Sequence, residues 1–405
     1  MAHETVELTG HIVDSLLLAK VLDVIVDAGV PYELAEVEIG RTNTDVSRAR
    51  IELEGDQAEL DQLVDALQLH GANRVSAGTT TLVAADQDGV LPAGFYSTTN
   101  LATDVLVDGS WVAVENPEMD CGIVVAGGAA RTIPMHRVKV GDRIVVGRGG
   151  VRVHAPAKQR GPTPFEFMSS EVSSEKPKAL IVQQVADRIR AARDSGGKVL
   201  AVCGPAVVHT GGAPDVARLV EGGWIDVLFA GNGFATHDIE ANVLGTSLGV
   251  SVAEGLPTEG GHSNHVRVIN EVRRQGSIAS AVGSGYVTGG AMAACVRTGV
   301  PFVLGGSIRD DGPLPDVLTD TSAAADAMRA HIPGVAVALM LASTLHAIAV
   351  GNCLPAGVET FCIDINQAVV TKLADRGSHQ ALGIVTDVGP FVRQLADELV
   401  GREAG

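Results

Sequence analysis

At 405 residues the chain exceeds one ordinary domain, so two or three are expected. A 46% apolar content allows a sizeable core, and a net charge of −18 argues against nucleic acid or an anionic membrane as partner. Cys121, Cys203, Cys295, Cys353 and Cys362 are odd in number and lack CxxC spacing, which reads as reduced core residues rather than a disulfide framework. No signal peptide opens the sequence, and Gly334–Gly351 is too interrupted by Ser343, Thr344 and His346 to span a bilayer, so a cytoplasmic location is expected.

Residues 1–84 alternate in character: VELTG as a strand, DSLLLAKVLDVIVDAG as an amphipathic helix, then YELAEVEIG and SRARIELEG as strands. A second helix, DQAELDQLVDALQLHGA, and an extended stretch follow. This βαββαβ order predicts a ferredoxin-like α+β domain with its helices on one face. Residues 85–160 carry short strands punctuated by glycine (DVLVDGSWVAVE, CGIVVAGG, DRIVVGRGGVRV), which predict a small β domain. RGPTPFEFMSSEVSSEKP, rich in proline and serine, reads as a linker before an α/β domain over 178–405.

Within that last region, six apolar runs of strand length end in small or polar clusters that lead into helical spacing: KVLAVCGPAVVHTGG, DVLFAGNGFATHD, PFVLGGSIRDDG, GVAVALMLASTLH, ETFCIDINQ and LGIVTDVG. Buried β-branched strands followed by βα turns predict a parallel, Rossmann-like sheet, whose ligands sit outside the carboxyl ends of the strands. Asn232, Asp238, Asp310, Asp311, Ser343, Thr344, His346, Asp364 and Asp387 are therefore expected on one rim.

Each cluster has two readings. Gly231-Asn232-Gly233 is an incomplete phosphate-binding turn, with Thr236 where GxGxxG has its last glycine, or an ordinary βα turn. Ser343 to His346 offers phosphate or ribose contacts, or a helix cap. Asp364 suits a ribose diol and would favour NAD over NADP, but it could equally cap the next helix; Thr386-Asp387-Val388-Gly389 repeats that design. Arg309, Asp310 and Asp311 could hold a carboxylate and an ammonium or supply a base, or close an Asx turn with a surface ion pair. His209, His262 and His265 lack HExxH or HxH spacing, so no metal is expected. Glu118 and Asp120, in ENPEMDC, form an acidic turn that is surface or closes over the rim from another domain.

The stretches VELTGHIVDSLLLAKVLD, ENPEMDCGIVV, VKVGDRIVVG, FEFMSSEVSSEKP, GPAVVHTG, GNGFATHDIE, GTSLG, GSIRDDGPLPDV, LASTLHAIAVGN and TDVG together resemble one family, that of proteins with the lysine-oxoglutarate reductase/saccharopine dehydrogenase (LOR/SDH) region. The family includes archaeal ornithine cyclodeaminases and the C-terminal half of cyanobacterial arginine dihydrolases. The resemblance implies a tightly held NAD in a domain similar to that of deoxyhypusine synthase. It further implies cofactor contacts at Asn232, Gly233, Asp311, Ser343, Thr344, Leu345, His346, Asp364, Asp387 and Val388, with Gly233 standing where alanine is expected. The implied reaction converts L-ornithine to L-proline and ammonia, through an imine and internal return of the hydride. Asp310 would then serve as base or ammonium anchor and Arg309 as carboxylate partner, with Asp120 and Glu118 as secondary ammonium contacts. Arginine chemistry is expected to be absent, and a homo-oligomer, dimer or tetramer, is expected. An opine- or saccharopine-dehydrogenase-like enzyme and a non-catalytic sensor of NAD or amino acids remain alternatives.

Overall fold

The computed structural model describes residues 2–13, 17–41, 45–68, 70–75, 78–154, 178–247, 250–251, 263–310, 312–369 and 381–401. The expected linker from Arg160 to Pro177 lies outside these residues. The chain forms two compact units, one comprising 1–166 and 352–357, the other 167–351 and 358–405.

The first unit contains two sheets. Strands β1 (Ala2–Gly10), β2 (Tyr32–Glu38), β3 (Ser47–Gly55) and β4 (Ala72–Arg74) pair antiparallel in the order β2-β3-β1-β4, the ferredoxin-like order. The period-two set Val6, Leu8, Ala49, Ile51 and Leu53 is buried against Leu17, Val21 and Ile25 of one helix and Leu60, Leu63 and Leu67 of the other. The second sheet is built from β5 (Thr81–Ala84), β6 (Thr103–Val107), β7 (Ser110–Glu115), β8 (Gly122–Ala126), β9 (Ala129–Ile133), β10 (Arg143–Val146) and β11 (Val151–Val153). The chain returns to this unit over 352–357: Ala356 joins its apolar core and donates its amide to Asn100 O at 2.8 Å.

The second unit is built on the expected parallel sheet. Its strands are β12 (Lys198–Cys203), β13 (Val227–Gly231), β16 (Phe302–Gly305), β17 (Val317–Leu318), β18 (Val335–Leu341), β19 (Glu359–Asp364) and β20 (Ala381–Val385). They run in the order β17-β16-β13-β12-β18-β19-β20, every neighbouring pair parallel. A separate two-stranded hairpin joins β14 (Thr246–Ser247) and β15 (Val250–Ser251). Burial is near complete along β12, β13 and β18, as expected for strands covered on both faces. The two-residue β17 has no apolar run of its own and was not legible in the sequence.

Candidate functional site

The chain leaves β12 for β13, β16 and β17 on one side, then returns to β18 beside β12 and continues to β19 and β20. The strand order therefore reverses between β12 and β18, and in open α/β sheets ligands bind at that switch point. Its floor is backbone packed on backbone. Gly204 donates its amide to Leu341 O at 2.8 Å, and a Cβ on Gly204 would lie 1.8 Å from Ala342 O. Ala342 is itself held in the left-handed region, φ 46°, while its amide donates to Ile363 O at 2.8 Å. Such a conformation costs a non-glycine residue free energy and tends to occur where a site requires it.

Directly after Ala342 come Ser343, buried, and Thr344, exposed, whose carbonyl accepts from Ile348 N at 3.1 Å. Thr344 thus opens the helix Leu345–Cys353 on the rim, and the first amides of that helix favour an anionic ligand. The His346 ring lies across the ends of β13 and β16: a Cβ on Gly231 would be 2.8 Å from its Cε1, and one on Gly305 3.1 Å from its Nε2. Gly231 has φ −101°, so it is glycine to make room for this imidazole rather than to form a left-handed turn. Burial lowers the His346 pKa, opposed by the charge of Asp310.

Asn232 begins the helix Asn232–Leu244 and is buried. Its Oδ1 accepts from Leu314 N at 3.0 Å and Thr236 Oγ1 at 3.3 Å, tying the helix start to the loop after β16. At Gly233 a Cβ would stand 3.2 Å from Pro205 Cγ, so the alanine that the family resemblance implies would require Pro205 to give by a few tenths of an ångström. Asp364 ends β19 on the rim; its Oδ1 accepts from Asn366 N at 2.8 Å, and no described residue bonds to Oδ2. Asp387 caps the helix Val388–Leu399 through Gly389 N at 3.1 Å, with Val388 buried at its first position. Ile308, Leu345 and Ile365, after β16, β18 and β19, are large apolar side chains exposed on this same rim.

After β16, the Asp310 carboxylate accepts from Ser307 N at 2.8 Å and Ser307 Oγ accepts from Arg309 N at 3.0 Å, so the turn is closed from within. Arg309 is exposed and makes no ion pair among the described residues. Asp311 lies outside the described residues. Glu118 and Asp120 belong to the first unit, where Thr98 organises their turn: Thr98 Oγ1 donates to Glu118 O at 2.6 Å and Asp120 N to Thr98 O at 3.0 Å. Glu118 is buried and Asp120 exposed, with φ 62°.

Asp238 is not on the rim, contrary to the sequence expectation. It is buried and accepts from Ala291 N at 3.0 Å and Met292 N at 2.8 Å, anchoring the start of the helix Gly290–Thr298. Burial pushes its carboxyl up to about 6, partly offset by the amides of Met292 and Ala291. The folded state therefore holds this proton more tightly than an unfolded chain titrating near ~3.9, so the added stability is full below that value and is lost as pH rises through about 6. Asp238→Asn removes that dependence. Urea titrations should show the wild type exceeding the variant by a margin about 2 kcal/mol larger at pH 4.5 than at pH 7.5. An equal margin at both would contradict a proton shared between Asp238 and the folded state.

Sequence reasoning missed a second polar network. Glu240 is fully buried, with Oε2 2.8 Å from His237 Nδ1 and Oε1 accepting from Thr246 Oγ1 at 2.7 Å. His209 lies edge-on to His237 at 5.0 Å between ring centroids and pairs its Nδ1 with Ser247 Oγ at 2.7 Å. The i,i+3 spacing of His237 and Glu240 in GNGFATHDIE was the available signal. Among the described residues no group of three or more His, Cys, Asp and Glu side chains could hold a metal ion, and no helix is long and apolar enough to cross a membrane. The first unit holds a cavity of about 620 Å³ whose charged wall, Asp61 with Arg74 and Asp65 with Arg148, is already paired.

Residues 183–395 match the family model for the arginine dihydrolase ArgZ-like C-terminal Rossmann fold. Residues 3–101 match the LOR/SDH bifunctional enzyme conserved region, and 102–182 the first region of the ArgZ-like C-terminal part. The chain is 49% identical over 400 residues to the ornithine cyclodeaminase of Methanopyrus kandleri, spanning 98% of this chain and 97% of that protein. A crystal structure of a LOR/SDH protein from Methanococcus maripaludis S2 is similar at TM-score 0.75 and 46% identity, over 80% of this chain and 98% of the other. The ternary complex of AgrE with ornithine and NAD+ is similar at TM-score 0.54 and 40% identity, over 98% of this chain and 57% of the other. On these matches, the chain belongs to the family that joins the LOR/SDH conserved region to an ArgZ-like C-terminal Rossmann fold.

Proposed function

We propose that this protein is an NAD-dependent ornithine cyclodeaminase, an ammonia-lyase that makes L-proline and ammonia from L-ornithine. The observation that carries this reading is the near full-length, 49% identity to an archaeal ornithine cyclodeaminase. The ornithine and NAD+ complex of AgrE supports the same substrate and cofactor.

The rim fits a dinucleotide. Asp364 leaves one oxygen unbonded by any described residue at a strand end, where it can accept from a ribose diol and repel an additional phosphate. The start of the helix Leu345–Cys353 offers amides to a pyrophosphate, and Ile308, Leu345 and Ile365 give apolar surface for planar rings. NAD supplies reversible two-electron oxidation of the substrate C–N unit, taken and given back within one turnover. The chain's own residues bind and orient. The Asp310 carboxylate attracts a substrate ammonium, while the exposed Arg309, with no ion pair among the described residues, can meet its carboxylate in the bidentate manner that guanidinium favours. His346, kept neutral by burial, covers the ends of β13 and β16 and excludes water there.

Incubation with ornithine should give equimolar proline and ammonia with no net NADH absorbance. Accumulating NADH would instead favour an opine- or saccharopine-dehydrogenase-like reaction, and no product at all would favour a sensor. Asp364→Ala should lower NAD retention and narrow the preference over NADP, read from the nucleotide released on denaturation. Unchanged retention and preference would remove Asp364 from the ribose site.

A further inference from the structure

We propose that His237, oriented by the buried Glu240, accepts a proton from the substrate ammonium and returns it to the nitrogen that departs. This rests on the cyclodeaminase reading above, which needs such a group but does not identify it.

The two side chains stand one turn apart on the helix Asn232–Leu244. A carboxylate only accepts, so the 2.8 Å contact from Glu240 Oε2 places the imidazole proton on Nδ1 and leaves a lone pair on Nε2. Glu240 is in turn held by Thr246 Oγ1, which accepts from Asn264 Nδ2 at 2.9 Å. No described residue bonds to His237 Nε2, although the side chain is only 10% exposed. A buried base, an orienting carboxylate fixed from behind and an open nitrogen form the arrangement expected of a general base.

Its place in the fold fits that role. Gly233, one turn earlier on the same helix face, packs on Pro205, the second residue after β12 at the switch point. His209 ends the short helix that starts there and lies against the His237 ring. Among the described residues, the titratable groups facing His237 are Glu240, His209 and, at 6.2 Å between ring centroids, His265. Asp238 is next in sequence but bonds to the amides of Ala291 and Met292.

In the step assigned to it, an N–H bond of the α-ammonium breaks and one forms at Nε2. The electron pair stays on the substrate nitrogen, and the imidazolium is stabilised by Glu240. Later the Nε2–H bond breaks, and the proton moves to the same nitrogen as its C–N bond cleaves. The bonding pair leaves with that nitrogen, ammonia departs, and His237 is neutral again. Glu240 touches no substrate and is a positioning residue.

The test uses the full-length protein. His237→Gln should lower conversion of ornithine to proline at least ~10²-fold, the scale of a positioned acid–base group, while NAD retention persists. Glu240→Gln keeps a hydrogen-bonding partner but not the negative charge that stabilises the imidazolium, so kcat should fall while KM and NAD retention stay near wild type. As a measure independent of turnover, ¹⁵N spectra of the imidazoles should show His237 with Nδ1 protonated, and ornithine should shift its Nε2 resonance. Near-normal turnover by His237→Gln, an unchanged kcat in Glu240→Gln, or a proton on Nε2 would each overturn the assignment. If His237→Gln does not fold, the wild-type spectrum decides alone. A wild type that makes no proline overturns the cyclodeaminase reading itself, and a productive wild type with an indifferent His237 overturns only this inference.

Discussion

Replacing Gly204 with alanine is expected to lower the thermal midpoint of the protein by about 10 °C. The new methyl would fall 1.8 Å from Ala342 O and 2.7 Å from Ala342 C, both backbone atoms. Ala342 cannot swing aside cheaply, because its left-handed φ of 46° is sterically narrow and its amide is bonded to Ile363 O. The strands must separate where β12 meets β18, which at an overpacking cost of roughly 3 kcal/mol gives the stated shift for a unit of this size. NAD retention should fall with it, since the same contact forms the floor of the switch point. Gly283→Ala is the control: its Cβ meets nothing within 4 Å, and its backbone does not require glycine. A Gly204→Ala melt within 2 °C or so of wild type would show that the strand ends are looser than the backbone contact implies.

Asp310→Asn is expected to reduce kcat/KM for ornithine by about 10²-fold, with NAD still bound. A charge-assisted hydrogen bond is worth roughly 1.5–3 kcal/mol, and the substitution removes the charge. It does not remove the turn: an asparagine oxygen can accept from Ser307 N as the carboxylate does at 2.8 Å. The variant therefore separates attraction of an ammonium from closure of the loop after β16. With Asp310 as anchor and His237 as base, the loss should appear mainly in KM for Asp310→Asn and mainly in kcat for His237→Gln. Turnover within a factor of about two of wild type would leave Asp310 a turn residue only.

The α/β architecture was legible because its strands are buried on both faces and read as unbroken apolar runs, as in KVLAVC and GVAVALML. The ferredoxin-like sheet was legible for the opposite reason, since Val6 and Leu8, like Ala49, Ile51 and Leu53, alternate with polar neighbours that are half-buried or exposed. Parallel strands also put their carboxyl ends on one side, so a polar rim followed from the repeat of strand, polar cluster and helix alone. Asp364 and Asp310 were found that way.

What a residue does on that rim depended on neighbours distant in sequence. Gly231 looked like part of a phosphate turn, but it is glycine because His346, 115 positions later, lies over it. Asp238 looked like a rim carboxylate, but a helix more than 50 residues away takes both of its oxygens. Local composition likewise gave no sign that 352–357 returns to the first unit, because Ala356 is selected by a core built from residues far earlier in the chain. Strand burial and periodicity are properties of adjacent residues, which a sequence displays directly. The space around a side chain, and the partner that takes its hydrogen bond, are fixed only when the sheet order brings β12, β18 and the helices they lead into side by side.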